Sequence, residues 1–123
     1  MKFVEAAEAL AARLADGNDD LAAGGAVQLM IEAWQYLGGF DPAWDRFGLE
    51  VLDVRSRMYS DEIVVDADAP EVDHPQLRLA VIDLVEQLAR HHERHAVNQD
   101  HLARRLHHDA TAQQLRRAAA VLA

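Results

Sequence analysis

Residues 26–37 constrain this chain more than any other stretch. Only Gln28, Glu32 and Gln35 are polar among them, spaced i, i+4 and i+7, so a helix here carries one narrow polar stripe and is apolar everywhere else. Such a helix has to be covered nearly all round. It belongs at the centre of a domain or at a contact between subunits. Asp19 or Asn18 supplies its cap and Gly38-Gly39 its end, which predicts a helix over residues 20–37. With 123 residues in all, the chain has little else to cover it with, so a homodimer is expected, with Met30, Trp34 and Tyr36 near the contact.

The surrounding segments read as helices too. Phe3, Ala7, Leu10 and Leu14 recur at helical spacing over residues 2–15, and Asp16-Gly17-Asn18 ends that run. Asp41-Pro42 is an N-cap followed by proline at the first helical position, and it opens a helix to about Tyr59. Trp44, Phe47, Val51, Val54 and Met58 form the buried face of that helix. Asp73 with Gln76 looks like a capping box, and Leu77, Val81, Leu84, Leu88, His91 and His95 then follow at spacings of 4, 3, 4, 3 and 4 as a seam facing another helix. The remainder reads as two helices, residues 99–108 with Leu102 and Leu106 inward, and a second from Thr111, which with Gln114 makes a box-like start. The expectation is all-α: a single domain, residues 1–123, built as a bundle of five to six helices around the second, third and fourth, with an acidic connecting loop at about 60–73.

Composition closes off several classes. Half the residues are apolar and 27% are charged, a globular balance. No apolar run reaches the ~18 residues of a membrane span. Two acids fall within the first eight residues, which no secretory leader would carry. Cysteine is absent, and with it disulfides, thiolate ligands and cysteine nucleophiles. A cytoplasmic location follows. Eleven arginines stand against one lysine, Lys2, in an alanine-rich chain, the coding bias of a GC-rich bacterial genome. The net charge of −9 makes nucleic acid an unfavourable partner. That charge is uneven: residues 1–86 hold six basic and eighteen acidic side chains, whereas residues 87–123 hold six basic and three acidic ones together with six of the seven histidines.

Those histidines are the first candidate chemistry. His91 and His95 are i, i+4 on one helix, a spacing that can offer two imidazoles to one ion, and imidazole favours a transition metal such as zinc, nickel or copper over magnesium. No third ligand is assignable from the sequence, although His92, His101, His107 and His108 lie close by. Glu5-x-x-Glu8 and Glu50-x-x-Asp53 resemble the paired carboxylates that all-helical MazG-type nucleotide pyrophosphohydrolases gather around magnesium. A full apolar helix separates the two pairs here and no lysine or asparagine set accompanies them, so those roles are not carried over. The C-terminal segment has the outline of a helix-turn-helix, but His107 stands at the turn's usual glycine and Gln113 and Arg116 where aliphatics are usually buried.

The acidic connection is the second candidate. Asp66-x-Asp68 starts like a calcium loop, yet Pro70 and Glu71 follow where a ligand and a glycine belong. A run with no base in it has to lie at the surface, where Asp66, Asp68 and Glu71 would attract a basic protein and Ile63 and Val64 would supply an apolar centre. The bland alternative is that Ile63, Val64 and Val65 only pin the loop to the core. The function expected from the sequence is therefore a non-enzymatic protein–protein interaction module, a small acidic regulator, adaptor, inhibitor or immunity-type protein, with no catalytic residues and no cofactor. The alternatives are a metal- or ligand-binding bundle using His91 and His95, and a nucleic-acid-associated regulator acting through the C-terminal helices.

Overall fold

The computed structural model describes residues 1–61, 63–70 and 72–123. Among these residues there are five helices and no strand: α1 (Phe3–Asp16), α2 (Asp20–Leu37), α3 (Pro42–Met58), α4 (Pro75–Val97) and α5 (Leu102–Leu122). They close into a ring in the order α1, α2, α3, α5, α4 and back to α1, and α2 also packs across the ring onto α4. No helix among the described residues is long and apolar enough to cross a membrane.

The ring explains the composition of α2. It touches α1, α3 and α4, and eleven of its residues are buried, from Ala22 to Leu37. Its fourth side is met by the connection between α3 and α4, where Ile63 lies against Gly24 and Val65 against Gly25. A Cβ at Gly24 would meet the flexible tip of Ile63 and shift it, whereas one at Gly25 would sit at ordinary contact distance from Val65, so the close approach depends on Gly24 alone. The structure places the three residues expected near a dimer contact. Met30 is 0% exposed within its own chain, and the Trp34 indole lies over Gly48 of α3. Tyr36 alone of the three is at the surface, 57% exposed. Met30 and Trp34 are thus engaged within the chain's own fold, while Leu21 and Tyr36 of α2 stay exposed.

Local signals set most boundaries. Asp19 Oδ1 accepts from the amide of Ala22 at 2.9 Å and Asp41 Oδ1 from that of Ala43 at 2.8 Å, as N-caps do. At α4 the cap is His74, whose Nδ1 accepts from the Leu77 amide, and not Asp73. Asp73 instead takes the guanidinium of Arg78, an opposite charge being a better partner for a carboxylate than a neutral amide. The last two predicted helices are one. Nothing between His107 and Thr111 breaks a helix, and Thr111 and Gln114 are buried mid-helix, with the Gln114 amide bonded to Asp53 at 2.8 Å and to Arg57. The helix-turn-helix outline goes with that break. Leu102 and Leu106, expected inward, are exposed, because the first half of α5 overhangs the ring and buries none of its residues before Thr111.

Candidate metal centre

Two aspartates begin α2, and they divide the work. Asp19 caps the helix and holds the Arg13 guanidinium at 2.8 Å. This leaves Asp20, the first helical residue, with a free carboxylate 84% exposed at the side chain. Because α2 crosses onto α4, that carboxylate arrives beside the histidine end of the α4 seam. Asp20 Oδ1 lies 3.5 Å from His91 Nε2 and 3.3 Å from His95 Nε2. The three donor atoms all fall within 4.8 Å of one another. Tetrahedral coordination with bonds of about 2.0–2.1 Å sets its donors roughly 3.3–3.4 Å apart, so the two histidine–carboxylate separations are of the right size for one ion between them.

The donors are not spent on each other. His95 Nε2 is buried and makes no hydrogen bond, and neither does His91 Nδ1. Burial in a ring 3% exposed pulls the His91 pKa down to about 4, with the neighbouring His95 adding to the effect, so near neutral pH His91 is uncharged. An uncharged imidazole keeps one N–H and one lone pair, so the tautomer with its hydrogen on Nδ1 turns the His91 Nε2 lone pair toward the point that Asp20 and His95 share.

A second layer lies behind. Tyr59, just past α3, places its hydroxyl 2.7 Å from His92 Nε2, and His92 Nδ1 lies 2.9 Å from His108 Nδ1 on α5. The His108 ring also stacks on His95 at 5.3 Å and 17°. Burial drives the His92 pKa down to about 3 and lowers that of His108, and it raises that of the Tyr59 hydroxyl, to which the negative charge of Asp20 adds. All of these groups line one open cleft of about 460 Å³, whose other walls include Leu21, Gly24, Met58 and Ile63.

The sequence located His91 and His95 and the structure joins them. It also brings in Asp20, Tyr59, His92 and His108, which sequence reasoning did not assign. Only the tandem Asp19-Asp20 hinted at a carboxylate to spare. His101 and His107 stay exposed and outside the cluster. The other carboxylate pairs do not assemble: Glu5 and Glu8 are exposed on α1, Asp53 is held by Arg57 and Gln114, and Glu50 lies 4.0 Å from Arg117.

On the acidic connection, Ile63 and Val65 face α2 while Val64 is 89% exposed, so the apolar centre expected there is reduced to one side chain. The segment is tied down further by the Asp68 amide, which donates to the Met1 carbonyl at 2.8 Å. Asp66 and Asp68 are exposed, and Glu71, the third acid of that expected surface, lies outside the described residues. Comparison with protein families, with characterised proteins and with solved structures finds no match to this chain.

Proposed function

We propose that this chain is a transition-metal-binding helical bundle in which Asp20, His91 and His95 hold one divalent ion. The observation that carries the reading is the convergence of three donor atoms from two helices at separations of 3.3 and 3.5 Å, with His95 Nε2 buried and otherwise unpartnered. Two imidazoles and a carboxylate select zinc or a neighbouring late first-row ion over magnesium or calcium, and the same set serves ferrous iron. Three protein ligands leave coordination positions open, and the donors face a cleft. This suits a site that binds or activates a further ligand more than one that only holds the fold together. Metal-free, untagged protein titrated with zinc should take up one ion per chain. Asp20→Ala and His95→Ala, whose side chains are at least partly exposed, should fold normally and lose that uptake. Less than about a tenth of an ion per chain for the unaltered protein at saturating zinc overturns the reading.

A second reading keeps the acidic connection as a surface for a basic protein. Its support is the exposure of Val64, Asp66 and Asp68 side by side. Changing Asp66 and Asp68 to Asn should slow association with such a partner and flatten its salt dependence, while melting is unaltered. Unchanged association removes the loop.

A further inference from the structure

The open positions of the centre face a cleft whose chemistry is specific enough to name what would enter. The inference rests on the metal reading above. A divalent ion with one carboxylate and two neutral imidazoles keeps one unit of positive charge. Among the described residues no Lys or Arg lines the cleft, so among them the ion would be an anion's sole positive partner. Asp61 stands exposed in its lining, where water screens it. Leu21, Met58 and Ile63 form an aliphatic wall in the same space.

The second layer contributes a donor. Each contact in the chain Tyr59–His92–His108 needs a donor on one side and an acceptor on the other, so the chain runs in one of two directions set by the ring tautomers. In one, Tyr59 donates to His92 and His92 to His108, and no hydrogen is left for the cleft. In the other, His108 Nδ1–H donates to His92 Nδ1 and His92 Nε2–H donates to the Tyr59 oxygen. The Tyr59 O–H is then free to point into the cleft. Negative charge in the cleft, from Asp20 or from an anionic ligand, selects this second direction.

We propose that the cleft binds a short-chain aliphatic monocarboxylic acid, one carboxylate oxygen completing the coordination of the ion, the other accepting from the Tyr59 hydroxyl, and the alkyl chain lying against Leu21, Met58 and Ile63. The cleft volume of about 460 Å³ is that of a small-molecule site.

The test uses the full chain loaded with cobalt(II), whose visible spectrum reports its coordination. Cobalt uptake, and its loss in His95→Ala, tests the metal reading separately. Acetate, butanoate and butanamide are then titrated in. Butanoate should perturb the cobalt bands and bind about fifteenfold more tightly than acetate, from two buried methylenes at about fourfold each. Butanamide should leave the bands unchanged over the same range. Tyr59→Phe should keep cobalt uptake and weaken butanoate about tenfold, a charged hydrogen bond being lost. Ile63→Ala should keep uptake and reduce the butanoate-to-acetate ratio. Failure to take up cobalt sinks both readings. Cobalt uptake with a spectrum indifferent to both acids, equal response to butanamide, or no gain from acetate to butanoate overturns the ligand assignment and leaves the metal reading standing.

Discussion

The two ends of α4 arrange their polar groups by opposite means. Near the N-terminal end, Arg78 reaches Asp41 at 2.8 Å and Asp73 at 2.7 Å while its guanidinium lies 5.7 Å from the centre of the Trp44 ring. Arg78, Asp41 and Asp73 partner one another there, and among the described residues of this end the buried donor left over is the Trp44 indole nitrogen. The bond from Ala43 and then the Arg78 guanidinium hold the Asp41 carboxyl below its usual range, and Arg78 does the same for Asp73. Near the C-terminal end, about 20 Å along the helix at 1.5 Å per residue, the ring nitrogens of His91 and His95 and the Asp20 carboxylate converge with no Lys or Arg paired to Asp20 among the described residues. Structural ion pairs close on themselves. A site that needs an external partner leaves donors unspent, and that distinction separates the two clusters more sharply than charge or burial does.

The comparison breaks first on metal. Zinc at about a hundred times its dissociation constant should stabilise the protein by about 2.7 kcal/mol, a rise in melting temperature on the order of ten degrees. His95→Ala should abolish that rise and Arg78→Ala should keep it. A zinc response that survives His95→Ala, read by thermal melting, would show that the C-terminal end is no different in kind from the N-terminal one.

The next effect is pH, because the two ends titrate in different windows. His91 and His92 have folded pKa values depressed to about 4 and 3 from an ordinary 6.5. Between these values the unfolded chain binds more protons than the folded one. Stability from this end is therefore complete above pH 6.5 and is lost as pH falls toward 4 and below. The groups that face the two rings are Asp20 on α2, Tyr59, Arg57, Arg94, His95 and His108, and of these Asp20 alone opposes the depression at His91. At the Arg78 end the lowered carboxylates keep their contribution down to the ordinary carboxyl range, near 3.8, and lose it only as pH falls further through their folded values. Metal-free protein should therefore melt progressively lower from pH 6.5 to 4, and Arg78→Ala should leave the shape of that decline unchanged. A flat profile over that interval contradicts buried neutral histidines.

Arg78→Ala itself should cost about 1 kcal/mol, from two partly exposed ion pairs and the lost packing over Trp44. Chemical denaturation measures it, and the loss should be the same with and without zinc. The smallest effect is expected at Gly24→Ala. The new methyl meets the flexible tip of Ile63 and gains helix propensity, so stability should change by less than about 1 kcal/mol. Because Ile63 and Gly24 both line the cleft, the same substitution should still alter access to the histidine end, read as a changed rate of cobalt uptake.

Much of the fold was legible because it depends on local periodicity and caps. The ends of α2 and the start of α3 follow from Asp19, Gly38, Asp41 and Pro42, and the α4 seam from apolar spacing alone. Errors came where two local signals competed. Thr111 and Gln114 have the letters of a helix start, yet a helix without Gly or Pro simply continues, and Gln114 is bonded to α3. Asp73 and His74 both suit a cap, and Arg78 decided between them by drawing off the carboxylate.

Local periodicity and caps were enough to predict α1 to α4 and to put His91 and His95 on one face, since a 3.6-residue repeat needs no tertiary partner to be read. The sequence also required α2 to be covered. Only the tertiary structure decided what covers it: the chain's own ring, with Ile63 and Val65 seated on Gly24 and Gly25. Only the tertiary structure brought Asp20, 71 positions before His91, to within 3.5 Å of it, and aligned Tyr59, His92 and His108 behind. The reason is physical. Spacing along a chain fixes which residues share a helix face, but a site made from two or three helices depends on where those helices cross, and the crossing is set by packing over the whole core.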